Sequence, residues 1–217
     1  FVTAVLYTLL FLSAAMVLGI PTTSVMTLVA SAGVAIGLAL QGALANFAGG
    51  LLILLFKPFR VGDYIVTANG EGTVIDITVV YTTLQTPDHR HITLPNGALT
   101  NAAVTNCSAE PLRRIDLTFS ASYTCDAEKV KAVLTKVAAD DPLVLDDPAP
   151  VVRLLSHGDS ALVYTLYVWC DRSNYWAVYY NMQEQVKAAF DAAEISIPYP
   201  QMEVTVRKSF PEVKEHA

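Results

Sequence analysis

The first 56 residues, Phe1 to Phe56, contain no Asp, Glu, Lys, Arg or His. A charge-free stretch of that length cannot be covered by the remainder of so small a chain, so it belongs in a bilayer rather than in water. All 34 charged residues, 14 basic and 20 acidic, lie in the other 161 positions. The whole chain of 217 residues is 16% charged, against about 25% for ordinary soluble domains. The deficit is local, which makes this a membrane segment joined to a water-soluble region. An all-soluble protein is excluded. The block is too long for a signal peptide and has no basic stretch before it. The chain opens with Phe1 inside an apolar run, so further membrane helices are expected upstream. Cys107, Cys125 and Cys170 are odd in number and lack CxxC spacing, which argues against a disulfide framework or zinc ribbon and suits a reducing cytosol. A net charge of −6 argues against nucleic acid as a partner.

Residues 1–18 predict a partial transmembrane helix of about 27 Å. Pro21 breaks it, and Thr23 or Ser24 is positioned to cap the next helix. Residues 23–56 predict a second helix, too long for one straight crossing, with a kink near Gly42 and an interfacial second half. Lys57-Pro58-Phe59-Arg60 closes the membrane part. Pro58 stops the helix, and Lys57, Phe59 and Arg60 read as an anchor at the head groups. Basic residues without acids here place the following domains in the cytoplasm. Residues 61–110 predict a small β domain, its β-branched runs separated by Asn69-Gly70-Glu71-Gly72, Pro87-Asp88 and Pro95-Asn96-Gly97. Residues 111–198 predict an α+β domain in the order β-α-β-β-α, with Asp126 capping the first helix and Ile195-Ser196-Ile197 as a last strand, the ferredoxin-like split β-α-β pattern. Residues 199–217 predict a stiff linker, then a strand over Gln201 to Val206 that needs partners, met by a β-barrel in a symmetric oligomer.

The span from Val25 to Gln41 carries the most information. On a helical wheel Val34 and Leu38 fall within about 40° of each other, forming a narrow aliphatic stripe. Ala30, Gly33 and Gly37 flank it on one side; Thr27, Ser31 and Ala35 flank it on the other. Small residues allow close helix approach, and two small flanks suit two helix neighbours. Identical helices then close a ring with Val34 and Leu38 on its axis, and apolar rings block ions by dewetting. The same pattern fits a helix packed in an ordinary bundle, with Gly33-x-x-x-Gly37 as a dimer motif.

Gly33-Val34-Ala35-Ile36-Gly37-Leu38-Ala39-Leu40-Gln41-Gly42 resembles the pore helix of the mechanosensitive channel of small conductance family. Lys57-Pro58-Phe59-Arg60-Val61-Gly62-Asp63 is similar to that family's membrane-exit motif, and Leu94-Pro95-Asn96-Gly97 to its β-domain turn. Phe190-Asp191-Ala192-Ala193 and Ile197-Pro198-Tyr199-Pro200-Gln201 resemble its C-terminal signature. The resemblance implies a homoheptamer in the cell membrane, multi-pass, that opens under tension and releases ions and small solutes on osmotic downshock. It also implies a hollow cytoplasmic vestibule, no cofactor and no catalytic residue. Val34 departs from the family's usual Leu, and Glu194 stands where relatives often have Gly, so a different turn is expected there. In this reading tilting pore helices widen the rings at Val34 and Leu38, Gln41 and Gly42 form the bend, and Asn46 bonds a neighbouring backbone. Phe47, Leu51 and Leu52 couple the second half to lipid or to the β domain.

Other clusters read as structural. His89 and His91 lack a third ligand for a metal and suit an exposed hairpin tip. The three Cys read as buried small hydrophobes, and Asp140, Asp141, Asp146 and Asp147 as a solvated loop. Arg113-Arg114 reads as a solvated pair or an inter-subunit contact; Trp169, Tyr175, Trp176 and Tyr179 read as core or subunit contact. Two alternatives to a channel remain at this point. A secondary transporter needs a polar coupling residue at mid-membrane, which this stretch lacks. A membrane-anchored cytoplasmic binding module needs a ligand constellation.

Overall fold

The computed structural model describes residues 2–19 and 22–205 and divides into two units, 1–109 and 110–217. The N-terminal unit opens with helix α1 (Val2–Val17), whose 16 residues span about 24 Å. Helix α2 (Thr22–Phe56) runs for 35 residues, about 52 Å. It begins at Thr22, so Thr23 and Ser24 lie in its first turn rather than ahead of it. Gly42 lies inside the continuous helix. Among the described residues one helix, over Val25–Phe56, is long and apolar enough to cross a membrane; Leu6–Val17 is a shorter apolar stretch.

Five antiparallel strands follow: β1 (Tyr64–Thr67), β2 (Gly70–Ile77), β3 (Tyr81–Gln85), β4 (His91–Pro95) and β5 (Thr105–Asn106), in the sheet order β4-β3-β2-β1-β5. Helix α3 (Asn96–Thr100) occupies the place where the sequence suggested a plain turn. Alternation sets the core. Ile65, Val74, Leu84 and Leu94 point to one face and bury with Phe59, Leu99 and, from α2, Ile53. Ile53 is 1% exposed, and its burial contributes about 2 kcal/mol. The end of the membrane helix is therefore a core element of the β domain.

Phe59 requires a correction. It is 3% exposed inside that core, so it is not a head-group anchor. Lys57 adopts a left-handed conformation (φ 50°), its amide donates to Ile53 O at 2.8 Å, and Pro58 prevents continuation. The chain thus turns sharply back and carries Phe59 under the sheet.

The C-terminal unit contains β6 (Leu112–Ala121), α4 (Ala127–Asp140), β7 (Val151–His157), β8 (Leu162–Asp171) and α5 (Tyr175–Ala192). The sheet order is β6-β8-β7, antiparallel at both pairings. Val130, Leu134 and Val137 from α4 and Val178, Met182, Val186 and Phe190 from α5 pack at helical spacing against Ile115, Leu117, Tyr164 and Leu166. Asp126 caps α4, its carboxylate accepting from the Glu128 amide at 3.0 Å. Segment 195–197 is not in a strand; it touches the sheet through the Ser122 amide donating to Ser196 O at 2.9 Å. Residues 201–205 form no strand within the chain, and the rest of the expected final strand lies outside the described residues.

Several side chains depart from the sequence reading. Asp141 is 2% exposed rather than solvated: it accepts from the Leu143 amide at 2.9 Å and from Gln185 Nε2 at 3.3 Å, joining the loop after α4 to α5. Cys170 is buried, but Cys107 and Cys125 are only partly so. Arg113 stacks over the Tyr175 ring at 3.8 Å, and Arg114 makes a bidentate pair with Asp116 along β6, so the two do not form one solvated pair. Glu194 keeps a left-handed backbone (φ 55°), and Ile195 N closes the helix end onto Phe190 O at 2.8 Å. The glycine-type helix stop therefore survives without glycine, at a cost of about 1 kcal/mol. Glu194→Gly is expected to stabilise this unit by up to about 1 kcal/mol. Both tryptophans, Trp169 and Trp176, lie in it, so thermal unfolding followed by tryptophan fluorescence reads the change directly.

Candidate functional site

The upper part of α2 is bare in the single chain. Val34 and Leu38 are 64% and 67% exposed, one turn apart on the same face. A Cβ added at Gly33, Gly37 or Gly42 would meet nothing within 4 Å. Ala30 and Ala35 are likewise exposed, and so is Gln41. Thr27 Oγ1 donates to Thr23 O at 2.8 Å and Ser31 Oγ to Thr27 O at 2.8 Å. These hydroxyls are satisfied within their own helix, so this flank presents only small, dry surface. The structure thus groups Thr27, Ala30, Ser31, Gly33, Ala35 and Gly37 around the Val34 and Leu38 stripe on one exposed stretch of helix.

The lower part of α2 is engaged, through a stripe of which the sequence names only Asn46. Asn46, Gly49, Gly50 and Ile53 fall at i, i+3, i+4 and i+7 and face the β domain. Asn46 Oδ1 accepts from the Gly97 amide at 3.0 Å. A Cβ on Gly49 would lie 2.7 Å from the Asn96 carbonyl, and one on Gly50 would overlap the Val79 carbonyl oxygen. Backbone meets backbone here, which only glycine permits.

Asn96 organises the receiving surface. It is fully buried; its amide donates to Val80 O at 2.9 Å, its Nδ2 donates to Thr78 O at 2.9 Å, and its Oδ1 accepts from Thr82 Oγ1 at 2.7 Å. These bonds lock the β2–β3 turn to the start of α3, and α2 rests on both. The spacing of Asn46, Gly49, Gly50 and Ile53 is helical, but mixed polar, glycine and aliphatic residues do not register as one face in a hydrophobicity pattern. Phe47, Leu51 and Leu52, singled out from the sequence, are instead 51%, 56% and 46% exposed and point away from the β domain.

At the exit, Asp63 gathers the turn: its Oδ2 accepts from the Arg60 amide and from Asn106 Nδ2, each at 2.9 Å. A cleft of about 320 Å³ lies alongside, with Lys57 and Arg60 among apolar neighbours that include Ile53, Leu54 and Val61. At the β3–β4 tip, Asp88 pairs with Arg90 at 2.7 Å, and the hydrogen bond from the Thr86 hydroxyl holds its carboxyl below the usual range. Gln85 Nε2 lies 3.3 Å from His89 Nδ1. Among the described residues no three His, Cys, Asp or Glu side chains are close enough together to hold a metal ion.

The Asn46 bond is directly testable. Asn46→Leu removes the acceptor and leaves a partly buried amide unpaired, a loss of about 1–3 kcal/mol. Hydrogen exchange at the Gly97 amide is expected to accelerate by about tenfold or more. Asn46→Asp keeps an acceptor oxygen and is expected to keep the protection.

The chain is similar to proteins of known kind along most of its length. A family described as "Mechanosensitive ion channel, beta-domain" matches residues 42–109, and one described as "Mechanosensitive ion channel MscS, C-terminal" matches residues 115–197. A small-conductance mechanosensitive channel of Edwardsiella ictaluri is 42% identical over 174 residues, which is 80% of this chain and 61% of that protein. An uncharacterized MscS family protein of Buchnera aphidicola is 37% identical over 193 residues, covering 89% of this chain and 69% of that protein. The crystal structure of Helicobacter pylori MscS in its closed state superposes with a TM-score of 0.88 at 28% identity, over 96% of this chain and 83% of that one. The chain therefore spans about three fifths to two thirds of the length of these curated relatives.

Proposed function

Because the chain belongs to the MscS family, we propose that it is the pore-forming and cytoplasmic part of a tension-gated channel and not an enzyme. Seven copies pack their α2 helices side by side in the cell membrane of a multi-pass protein, with Val34 and Leu38 stacked as two apolar rings on the axis. The observation that carries this reading is the pair of small flanks around that stripe, with empty space at the Cβ positions of Gly33 and Gly37. Nothing among the described residues fills that space, and close-packed identical helices do. Narrow apolar rings exclude water and hence ions without any fixed charge.

Tension favours the state of larger in-plane area. Separating and tilting the helices widens the rings and passes ions and small solutes, as on osmotic downshock. Gln41 and Gly42 form the bend between the pore-lining half and the half that carries Asn46. That second half lies along the membrane, bearing Phe47, Leu51 and Leu52 toward lipid, with Lys57 and Arg60 near head groups. Motion of α2 reaches the β domain through Asn46, Gly49, Gly50 and Ile53. In the assembled protein 195–197 completes a ferredoxin-like sheet beside β6, and the C-terminal strands of the copies pair into a barrel.

The test is patch recording of the full-length protein in liposomes under suction. Pressure-dependent conductance steps are expected. Their absence overturns the proposal in favour of a secondary transporter or a membrane-anchored binding module.

A further inference from the structure

We infer that the β1–β2 hairpin carries a self-modification site: Asn69 converts to aspartate and to β-linked aspartate through a cyclic imide formed with Gly70, while the fold holds the second such pair, Asn96-Gly97, inert. The sequence contains two Asn-Gly dipeptides. The reaction begins when the backbone nitrogen of the following residue attacks the side-chain amide carbon, and it is least hindered where that residue has no side chain. A bond forms between Gly70 N and Asn69 Cγ, and the Gly70 amide proton passes to solvent. The Cγ–Nδ2 bond breaks and ammonia leaves, taking its additional proton from water. Water then opens the imide at either carbonyl, giving a normal or a β-linked aspartate. Nothing is oxidised or reduced.

The structure separates the two pairs in the exposure and the hydrogen bonding of the asparagine carboxamide. Asn69 is exposed in the turn between β1 and β2, and among the described residues its side-chain amide has no hydrogen-bond partner, its bond to Thr67 being made by the backbone amide. Thr67 holds the turn's backbone, its hydroxyl donating to Gly70 O at 2.7 Å and accepting from the Asn69 amide at 3.3 Å, which leaves the Asn69 carboxamide unrestrained. Gly70 has φ 139°, a conformation that side-chain-bearing residues rarely adopt. The hairpin thus requires a glycine next to Asn69, and with it the unhindered nucleophile.

Asn96 is the reverse case. It is 0% exposed, with Nδ2 donating to Thr78 O at 2.9 Å and Oδ1 accepting from Thr82 Oγ1 at 2.7 Å. Its carboxamide cannot turn toward the backbone without breaking both bonds. The attacking group is also occupied, since the Gly97 amide donates to Asn46 Oδ1 at 3.0 Å. The contacts that seat α2 on the β domain therefore also protect a labile dipeptide. Conversion at Asn69 adds a negative charge beside Glu71, and the β-linked product lengthens the backbone where Thr67 pairs with Gly70.

The experiment is ageing of the purified full-length protein in mildly alkaline buffer, then proteolysis and mass spectrometry of the peptides carrying each pair. In the folded protein Asn69 is expected to convert at least about tenfold faster than Asn96, because reaction at Asn96 waits on local opening. In denaturant the two are expected to convert at similar rates. Asn69→Gln is expected to abolish the first signal and leave the second unchanged. Methyl transfer by an isoaspartyl methyltransferase marks the β-linked product. Equal rates at the two sites in the folded chain, or protection of Asn69 by folding to the same degree as Asn96, overturn the inference.

Discussion

Leu38→Asp is expected to give a channel that conducts at rest. In the single chain Leu38 is 67% exposed and outside both buried core clusters, so the substitution leaves each unit's own core intact. Its effect is expected at the proposed ring of Leu38 side chains. Several carboxylates facing one another across a dry constriction each lose hydration, at several kcal/mol per charge. Water entering the constriction removes that penalty, and a hydrated constriction passes ions. The equilibrium shifts toward the open form by more than a modest tension supplies. Val34→Asp acts in the same direction, whereas Leu38→Ile keeps an apolar ring and is expected to gate normally. Patch recording at zero suction decides the matter: a Leu38→Asp channel that stays closed until normal tension removes Val34 and Leu38 from the permeation path.

Gly50→Ala is expected to detach α2 from the β domain. Alanine favours a helix by about 1 kcal/mol over glycine, so in isolation the change would stabilise α2. Here the new methyl would overlap the Val79 carbonyl oxygen and lie 2.6 Å from Asn96 Nδ2. Neither neighbour can yield cheaply. Val79 is backbone in a tight turn, and Asn96 Nδ2 is committed to Thr78 O at 2.9 Å. Overpacking of this kind costs about 1–3 kcal/mol, and rigid neighbours place it at the upper end. The net result is a loss of about 1–2 kcal/mol at the junction, read as faster hydrogen exchange at the Asn96 and Gly97 amides. Gly42→Ala is the control, because a Cβ there meets nothing within 4 Å. Equal exchange in Gly50→Ala and the parent protein would show that the junction does not depend on this close approach.

The elements differ in how readily they could be read. The α4 cap and helix were legible because both are local: Asp126 acts two residues away, and Val130, Leu134 and Val137 repeat with the helical turn. The β domain's hairpins were legible because Asn, Gly and Pro separate β-branched runs. Phe59 was misread because its sequence neighbours, Lys57 and Arg60, are those of a membrane boundary. Its burial follows from the left-handed turn at Lys57, which reverses the chain. Asp141 was misread for a similar reason: it stands in an acidic, loop-like run, and Gln185, one of its partners, lies 44 residues away. Asn46 was legible as a polar residue that bonds a neighbouring backbone, but the stripe it forms with Gly49, Gly50 and Ile53 went unseen because its glycines act by having no side chain.

The sequence by itself determined the solvent of each region. Charge is so costly in hydrocarbon that the limits of the charge-free block locate the membrane segment without reference to packing. It also placed Val34 and Leu38 on one face between small flanks, since helical periodicity follows from backbone geometry alone. The tertiary structure decided where the membrane helix ceases to be only a membrane helix. Its last third is core and support for the β domain, through a hydrogen bond from Gly97 to Asn46 and two backbone contacts at Gly49 and Gly50. Such contacts join residues about 30 to 50 positions apart in the chain and depend on backbone approach at near-contact distance, a quantity that residue type and spacing do not encode.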